Sequence, residues 1–431
     1  MASVGTAFSN YWRLLRHNRN FRRLWFAQIV SEIGDWFYVV AIYSLLLELT
    51  GKASSVAVAL VLQVLPQTLV SPIAGVINDR ISRKRVMIIS DVIRAVIVTC
   101  MLLVRSSSTI WLVYPLLFVE TVMWGFFEPA RNSVLPNIVE KEELTIANTL
   151  ASTTWSFNFA VGSLMGGLVA AFLGRNAVFV INGLSFVLSA VLISSMGFRE
   201  AHAEGSIPLR WRDLVDYGPV VEGMRYIRSD PRRLAMVLVK CGIGILATSW
   251  VLFPVMGEKL FPLTGYGLSA SRAGMFSMSL LMGARGVGAL VGPILAATWA
   301  AQNQHRLRML ILVGLIAGGV GYLLLGIAPN LWLACAAVIF AYMGGSNLWV
   351  SSTTLLQMNT EDRFRGRVFS ADLGVAMLTM ATTCYVSGQL MDAGVSARTI
   401  ATGAGLAMAI PGIAWFWALN LWREPEKVPA D

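Results

Sequence analysis

The sequence predicts an all-α polytopic membrane protein with twelve transmembrane helices in two six-helix bundles and both termini in the cytoplasm. Three observations predict it. Long apolar runs recur twelve times, the cations collect in alternate gaps between them, and one long polar gap divides the runs six and six. Only 13% of the residues are charged and 56% are hydrophobic, whereas a soluble domain carries about 25% charged residues.

A mainly apolar run of about 18 residues or more is long enough to cross the hydrocarbon core of a bilayer. Such runs fall at 24–49, 54–78, 86–104, 109–129, 145–173, 176–197, 234–256, 270–298, 308–328, 331–356, 368–391 and 398–421. Most gaps between them are short, so neighbouring helices run antiparallel. With the first segment inside, 25 of the 34 Lys and Arg residues fall in inward segments and 6 in outward ones, while Arg94, Lys240 and Arg285 lie within spans. Cations mark the cytoplasmic side of a membrane span, and both termini are therefore expected there.

The polar stretch 198–233 leaves 197 residues before it and 198 after it. The expected domains are an N-terminal six-helix bundle at 1–197, a cytoplasmic amphipathic linker at 198–233 and a C-terminal six-helix bundle at 234–431. Within the linker, Trp211–Val215 through Met224–Arg228 reads as a membrane-surface helix broken at Gly218-Pro219. Segment 8–23, with Phe8, Tyr11, Trp12 and Leu15 among five arginines, reads the same way.

Several function classes are excluded at this level. The formal charge of +10 sits in alternate loops rather than along one stripe, which suits anionic lipid headgroups and not nucleic acid. Cys100, Cys241, Cys335 and Cys384 lie in apolar runs without a C-x-x-C, and His17, His202 and His305 lie in terminal or loop segments; no metal site or disulfide framework is expected. No G-x-x-x-x-G-K-[ST] run occurs, so nucleotide-driven chemistry is not expected. No span contains histidine, and an embedded enzyme is not expected either. The first apolar run contains Glu32 and Asp35, unlike a cleavable signal.

The densest charge lies at Gly75-Val76-Ile77-Asn78-Asp79-Arg80-Ile81-Ser82-Arg83-Lys84-Arg85, between the second and third runs. This G-x-x-x-D-R-x-x-R-[KR]-[KR] pattern resembles the loop 2–3 signature of the major facilitator superfamily. Asn20-Phe21-Arg22-Arg23-Leu24-Trp25, Ser31-Glu32-Ile33-Gly34-Asp35-Trp36, Phe127-Glu128-Pro129-Ala130-Arg131, Leu144-Thr145-Ile146-Ala147-Asn148, the span-8 stretch Ala284-Arg285-Gly286-Val287-Gly288 and Arg365-Gly366-Arg367-Val368 extend the likeness over nearly the whole chain. Together they resemble the bacterial branch of macrolide-efflux and enterobactin-exporter-like proteins. Two positions depart from drug–proton antiporters of the family: Gly162-Ser163-Leu164-Met165-Gly166-Gly167 lacks the proline of G-P-x-x-G-G, and Glu120 lies in span 4 where many carry an arginine. Both bear on the energy source rather than on transport.

The resemblance implies alternating access between two bundles. Asp79 and Arg80 would latch the bundles when the outside is open, with Gly75 permitting close helix approach and Arg83 beside them; Lys84 and Arg85 read as orientation signals. Arg365 and Arg367 at the start of span 11 read as a second gate, with Asp372 near them. Asp79→Asn is expected to insert normally and transport poorly, and normal efflux by a fully expressed mutant would defeat that expectation.

Charges at depth are the candidates for chemistry. At about 1.5 Å per residue, Asp35 lies roughly 16 Å inside, Glu32 about 12 Å, Glu120 about 15 Å and Arg285 about 16 Å. Each is near the middle of a ~30 Å core, where a charge costs about 2.5–3.5 kcal/mol. Glu32 and Asp35 are spaced i,i+3 and share a helix face. They read either as proton-coupling or substrate-binding groups, or as an ion pair with Arg285 or a hydrogen-bonded helix contact. Asp91 and Arg94, also i,i+3, read as a local pair. Lys240, six residues into span 7, reads as snorkelling to the inner surface.

Trp36, Trp124, Phe127, Trp155 and Trp250 fall inside spans and read as cavity lining, or as packing between helices; Asn158 and Asn347 would add hydrogen bonds. Aromatics near a buried acid suit flat or cationic lipophilic ligands. The expected function is a proton-coupled, secondary-active exporter of amphipathic, macrolide-like small molecules in a bacterial cytoplasmic (inner) membrane. Its partners would be that substrate, protons and membrane lipids, with no nucleic acid; the chain would be a monomer using the proton gradient and no cofactor or metal. A lysophospholipid or lipid transporter, or a siderophore exporter favoured by a cationic cavity with Arg285 and Lys240, stands as the alternative.

Overall fold

The computed structural model describes residues 4–140, 143–200, 218–263, 267–300 and 303–422. All regular structure among the described residues is helical. In chain order the first elements are α1 (Val4–His17), α2 (Arg19–Thr50), α3 (Ala53–Arg80), α4 (Arg83–Cys100), α5 (Val113–Ile138), α6 (Leu144–Phe172) and α7 (Arg175–Ser194). Then come α8 (Gly218–Arg228), α9 (Pro231–Leu238), α10 (Cys241–Leu246), α11 (Ser249–Val255), α12 (Ala270–Ala300), α13 (Gln304–Ile327), α14 (Leu331–Met358), α15 (Asp362–Asp392), α16 (Ala397–Ala407) and α17 (Ala409–Ala418). Among the described residues, eleven helical segments are long and apolar enough to cross a membrane. Over the second predicted span, α3 is helical for 28 residues, with a shorter apolar stretch at Ala53–Gln67. The protein is a multi-pass membrane protein.

Contacts gather into two compact units, Met1–Asp216 with Phe253–Gly286, and Tyr217–Leu252 with Val287–Asp431. In the first, α2 packs on α6 and α7, α3 on α5, and α4 on α5 and α7. In the second, α13 packs on α14 and α16, and α10 on α15. The surface chemistry is that of a protein in lipid. On α13, the exposed residues Val313, Ile316, Val320, Leu324 and Ile327 form one stripe at helical spacing. Such a stripe would be an aggregation hazard in water and is the normal lipid-facing side of a bilayer helix. The opposite face of α13 carries Gly314, Gly318 and Gly321, against Gly344 and Ala341, the small-residue packing that holds membrane helices together.

Four local differences from the sequence reading have physical causes. The charged knot at 75–85 is hardly a loop: α3 runs through Arg80 and α4 begins at Arg83, leaving Ile81 and Ser82 between them. The Ser82 hydroxyl accepts a hydrogen bond from the Arg85 amide and caps α4, so the cations belong to helix ends. The helix of the fourth span does not stop at 129, since α5 continues to Ile138 through Pro129 and Pro136. Hydropathy reports where the bilayer ends rather than where the helix ends, and past 129 the buried Val134, Leu135 and Ile138 keep a helical apolar face.

The seventh span is a chain of short helices, α9, α10 and α11, followed by a π-helical turn Met256–Leu260, and not one helix over 234–256. Gly242, Gly244 and Pro254 supply weak points in it. Neighbouring side chains bond to carbonyls at the break, two of which, Gly244 O and Ala247 O, also accept from the amides of Ala247 and Trp250. Thr383 donates to Gly244 O at 2.6 Å, Tyr342 to Leu246 O at 2.7 Å and Cys384 to Ala247 O at 3.0 Å; Tyr322 also donates to Leu246 O. The last span is likewise divided at Met408 between α16 and α17. Of the predicted surface helix in the linker, Trp211–Val215 lies outside the described residues and Met224–Arg228 lies in α8.

Candidate functional site

The strongest concentration of buried charge in the first unit centres on Arg94 of α4. Its Nη2 donates to Asp35 Oδ2 of α2 at 2.8 Å and its Nε to Glu120 Oε1 of α5 at 3.0 Å. Asp91 Oδ1, one turn earlier on α4, is 3.8 Å from Arg94 Nη1. The guanidinium carbon lies 4.0 Å from the centre of the Phe186 ring of α7. One cation thus faces three carboxylates, and four helices meet on it. The rigid fork of arginine suits such divergent pairing, and charge-assisted bonds are what make buried carboxylates tolerable. The Arg94, Asp91 and Glu120 side chains are 2%, 0% and 11% exposed, while Asp35 retains 25%. Asp35 is the member of the cluster that water or a ligand can reach.

Gly34 sets the approach of α2 to α7. A Cβ there would collide with Asn182 and Ser185, so a larger residue would push Asp35 out of reach of Arg94. One turn before Asp35, Glu32 makes a different set of contacts. Its Oε2 accepts from Asn158 Nδ2 of α6 at 2.8 Å, and its Oε1 from Gln28 Nε2 at 2.9 Å and from Arg131 Nη1 of α5 at 3.4 Å. Arg131 is shared with Glu128 at 2.5 Å. The two acids that share a helix face are therefore served by separate cations, Arg94 and Arg131. Asn158 is fully buried, and its Oδ1 has no hydrogen-bond partner among the described residues.

Beside these acids stands an aromatic group. Trp36 lies 4.4 Å from Phe159 and 6.0 Å from Trp155, ring centre to ring centre, and Trp155 stacks on Phe159 at 6.0 Å. The Arg285 guanidinium sits 5.1 Å from the Phe159 ring. Gly162 makes room for this group, because a Cβ would press on Trp36. Trp155 is 48% exposed and presents the accessible aromatic face. Trp124 is half-buried. Phe127 is packed in the apolar core with Leu24, Ala27, Met87 and Ile138.

At the other end of α4 the charged turn is tied into its own unit. Arg83 donates from Nη1 to Ser133 O of α5 at 2.8 Å and from Nε to Asn78 O at 3.1 Å. Lys84 Nζ donates to Met196 O at 2.5 Å, and Glu200 accepts from the Lys84 amide at 3.2 Å and from the Ser82 hydroxyl. Arg80 closes α3, half-buried. Gly75 and Asp79 fall within α3, and Arg365 within α15; their side chains lie outside the described residues. Arg367 pairs with Glu222 of α8 at 2.6 Å.

The second unit has its own buried pair. Lys240 Nζ lies 3.2 Å from Asp372 Oδ2, donates to Thr353 Oγ1 at 2.8 Å and sits 3.8 Å from the centre of the Trp349 ring. The Lys240 side chain is 0% exposed and that of Asp372 5%. Lys240 does not snorkel. Asp372 pulls it inward, and the aromatic face of Trp349 takes the place of water around the ammonium. Trp250 is buried, while Asn347 is half-buried with a buried Oδ1 that has no hydrogen-bond partner among the described residues.

The structure thus brings Asp35, Glu120 and Arg94 into contact, joins Glu32 to Asn158, and sets Trp36, Trp155 and Arg285 around Phe159. Arg94 is the central residue that sequence reasoning missed, having paired it only with Asp91. Depth held the signal. Arg94 is eleven residues into α4 from Arg83, or about 16 Å, which matches the depth of Asp35.

Comparison with known proteins agrees with this architecture. The family described as Major Facilitator Superfamily matches residues 24–372. The chain is 26% identical over 389 residues to Macrolide efflux protein A of Streptococcus pyogenes, covering 89% of this chain and 91% of that protein. It is 28% identical over 382 residues to Multidrug efflux pump Tap of Mycolicibacterium fortuitum, covering 85% and 88%. Among solved structures, a bacterial homologue of the human lysosomal transporter Spinster superposes with a TM-score of 0.71 at 15% identity, covering 96% of this chain and all of that one. A POT family transporter superposes with a TM-score of 0.70 at 12% identity, covering 94% and 97%. These relatives are transporters rather than enzymes, and the chain itself belongs to the Major Facilitator Superfamily.

Proposed function

We propose that the protein is a proton-coupled, secondary-active exporter of amphipathic, cationic or macrolide-like small molecules. It works by alternating access between two six-helix bundles, 1–197 and 234–431, joined by the linker 198–233, with α3 as the second of twelve spans. It acts as a monomer in a bacterial cytoplasmic membrane, with both termini inside, and draws on the proton gradient without a cofactor. The Asp79 and Arg80 latch and the Arg365 and Arg367 gate belong to this reading.

The observation that carries it is the excess of buried acid over base beside an accessible aromatic face. Asp35, Glu120 and Asp91 share one cation, and Asp35 alone of the three has substantial exposure. A proton or a cationic substrate on Asp35 would lessen the charge imbalance in a medium where imbalance is expensive. Competition between the two for Asp35 would couple them, because each would bind more weakly in the presence of the other. Trp155 and Trp36 would hold the flat or lipophilic part of the substrate. Names of relatives that include macrolide and multidrug efflux support the direction of transport and the substrate class. The siderophore alternative loses support from Lys240, whose charge is engaged by Asp372.

The test is transport by the purified protein in proteoliposomes with an imposed pH gradient, using macrolides, lipophilic cations, lysophospholipids and siderophores in turn. Macrolide or lipophilic-cation movement, with proton flux in the opposite direction, is the expected result. Transport of every moved compound without proton flux would sink the coupling. Movement of lysophospholipid alone would replace the substrate class.

A further inference from the structure

We infer that a cavity at the far end of the first unit from the α3–α4 turn is a binding site for a phosphate-bearing anion. The cavity has a volume of about 520 Å³ and lies where α2 and α4 end and where α7 and α12 begin. Pockets for small ligands span about 300–1,000 Å³. Three guanidinium groups, from Arg105, Arg175 and Arg272, share its lining with a single carboxylate, Glu48. All of these residues belong to the first unit.

The way the charges are used marks a site rather than a closed ion pair. Glu48 Oε2 accepts from Arg175 Nη2 at 2.5 Å and from Ser271 Oγ at 2.7 Å. That contact takes one of the arginine's three nitrogens. Arg175 Nε and Nη1 are buried and have no hydrogen-bond partner among the described residues. A buried donor left unpaired costs about 1–3 kcal/mol, so the Arg175 charge is met only in part by Glu48. Arg105 uses its Nε on Leu102 O at 3.1 Å, which anchors the side chain by one end. Phosphate suits the site better than a monovalent group. Several acceptor oxygens can serve several guanidinium groups at once, and such charge-assisted bonds are roughly twice as strong as neutral ones. The positive-inside bias places this end of the spans at the outer face, at the level of lipid headgroups. A lipid phosphate and a free phosphate ion share the required chemistry.

The experiment uses the full chain purified in an uncharged detergent. Its thermal unfolding is titrated with inorganic phosphate, with short-chain phosphatidylglycerol below its micellar concentration, and with chloride at matched ionic strength. At least one phosphate probe should raise the melting temperature above the chloride control. Arg272→Gln and Arg105→Gln should each weaken that probe about tenfold, the worth of one charge-assisted contact. Glu48→Gln removes the competing carboxylate and should tighten binding about threefold. A response to phosphate alone identifies a free-anion site, and a response to the lipid alone a headgroup site. Arginine variants that bind like the parent would overturn the inference, as would the absence of any shift beyond chloride. Should the arginine variants fail to fold, unchanged or weaker binding by Glu48→Gln would overturn it. The readout is binding, so failure here leaves the transport proposal standing.

Discussion

Arg94 and Lys240 are both cations held inside membrane helices, and their surroundings differ in charge balance and in exposure. Arg94 has three carboxylates about it, one of them 25% exposed. Lys240 has one carboxylate, with Thr353 and Trp349 closing the remaining directions, and neither partner of the pair exceeds 5% exposure. The first arrangement has acid in surplus and a way in. The second is balanced and sealed. Matched buried pairs add little net stability over apolar packing, although breaking one is costly. The Lys240–Asp372 pair ties α15 to the broken seventh span, with α14 beside it, while in the proposed exporter the Arg94 cluster would carry coupling.

The comparison can be broken most forcefully at Arg94. Arg94→Met would strand three carboxylates in the interior and should cost about 3–5 kcal/mol of stability, the usual loss when one partner of a buried pair is removed. Thermal unfolding of the purified variant checks this, and a melting temperature equal to the parent's would show that the cluster is not held by its arginine. Next comes Asp35→Asn, which keeps shape and can still accept from Arg94. Coupling free energies between sites reach about a hundredfold, so substrate movement driven by a pH gradient should fall by about that factor. Asp372→Asn should change it by less than about threefold. Equal losses in the two variants, measured in the same proteoliposomes, would erase the distinction between the clusters.

A smaller effect is expected at the sealed pair. Lys240→Met should lower stability by about 3 kcal/mol, the lower end of the range for a broken buried pair, by leaving one carboxylate, Asp372, without its donor. Adding Asp372→Leu should return most of that loss, because an apolar pair of similar volume replaces a buried ion pair at little cost. A double variant no more stable than Lys240→Met alone would assign Asp372 a role beyond its lysine. The smallest effect is expected at the aromatic face, where Trp155→Ala should raise the half-saturating concentration of a lipophilic cation about threefold, in keeping with an exposed cation–π contact. An unchanged value would remove Trp155 from the substrate path.

The spans were legible in the sequence because a bilayer imposes its thickness on apolar length. Among the described residues, eleven of the twelve predicted runs coincide with helical segments long and apolar enough to cross a membrane, and the second coincides with the shorter apolar stretch Ala53–Gln67 of α3. That Asp35 and Glu120 stand at similar heights along their helices was legible by a simple count, and both reach Arg94. Partnership was not. Asp35 meets Arg94 from 59 residues away, and Glu120 from 26. A spacing of i,i+3 offered Asp91 as a nearer answer, although Asp91 stands 3.8 Å from the same guanidinium and makes the weaker contact. The break in the seventh span was hidden because hydropathy averages over residues whatever their backbone geometry. Lys240 was misread because counting from the inner surface locates a Cα but says nothing of an acid waiting on another helix.

That break has an evolutionary corollary. The carbonyls of Gly244, Leu246 and Ala247 are bonded by side chains of Thr383, Tyr342, Tyr322 and Cys384, which lie between 76 and 139 residues further along the chain. A helix interruption secured in this way is inherited jointly by several helices, since its upkeep is distributed among residues on α13, α14 and α15. Lineages that restore a continuous helix at 241–250 should be free to lose those hydroxyls and the thiol, and lineages that keep the interruption should retain them or exchange them for other donors. Substitution histories at these distant positions are therefore expected to be correlated, as spatial neighbours are.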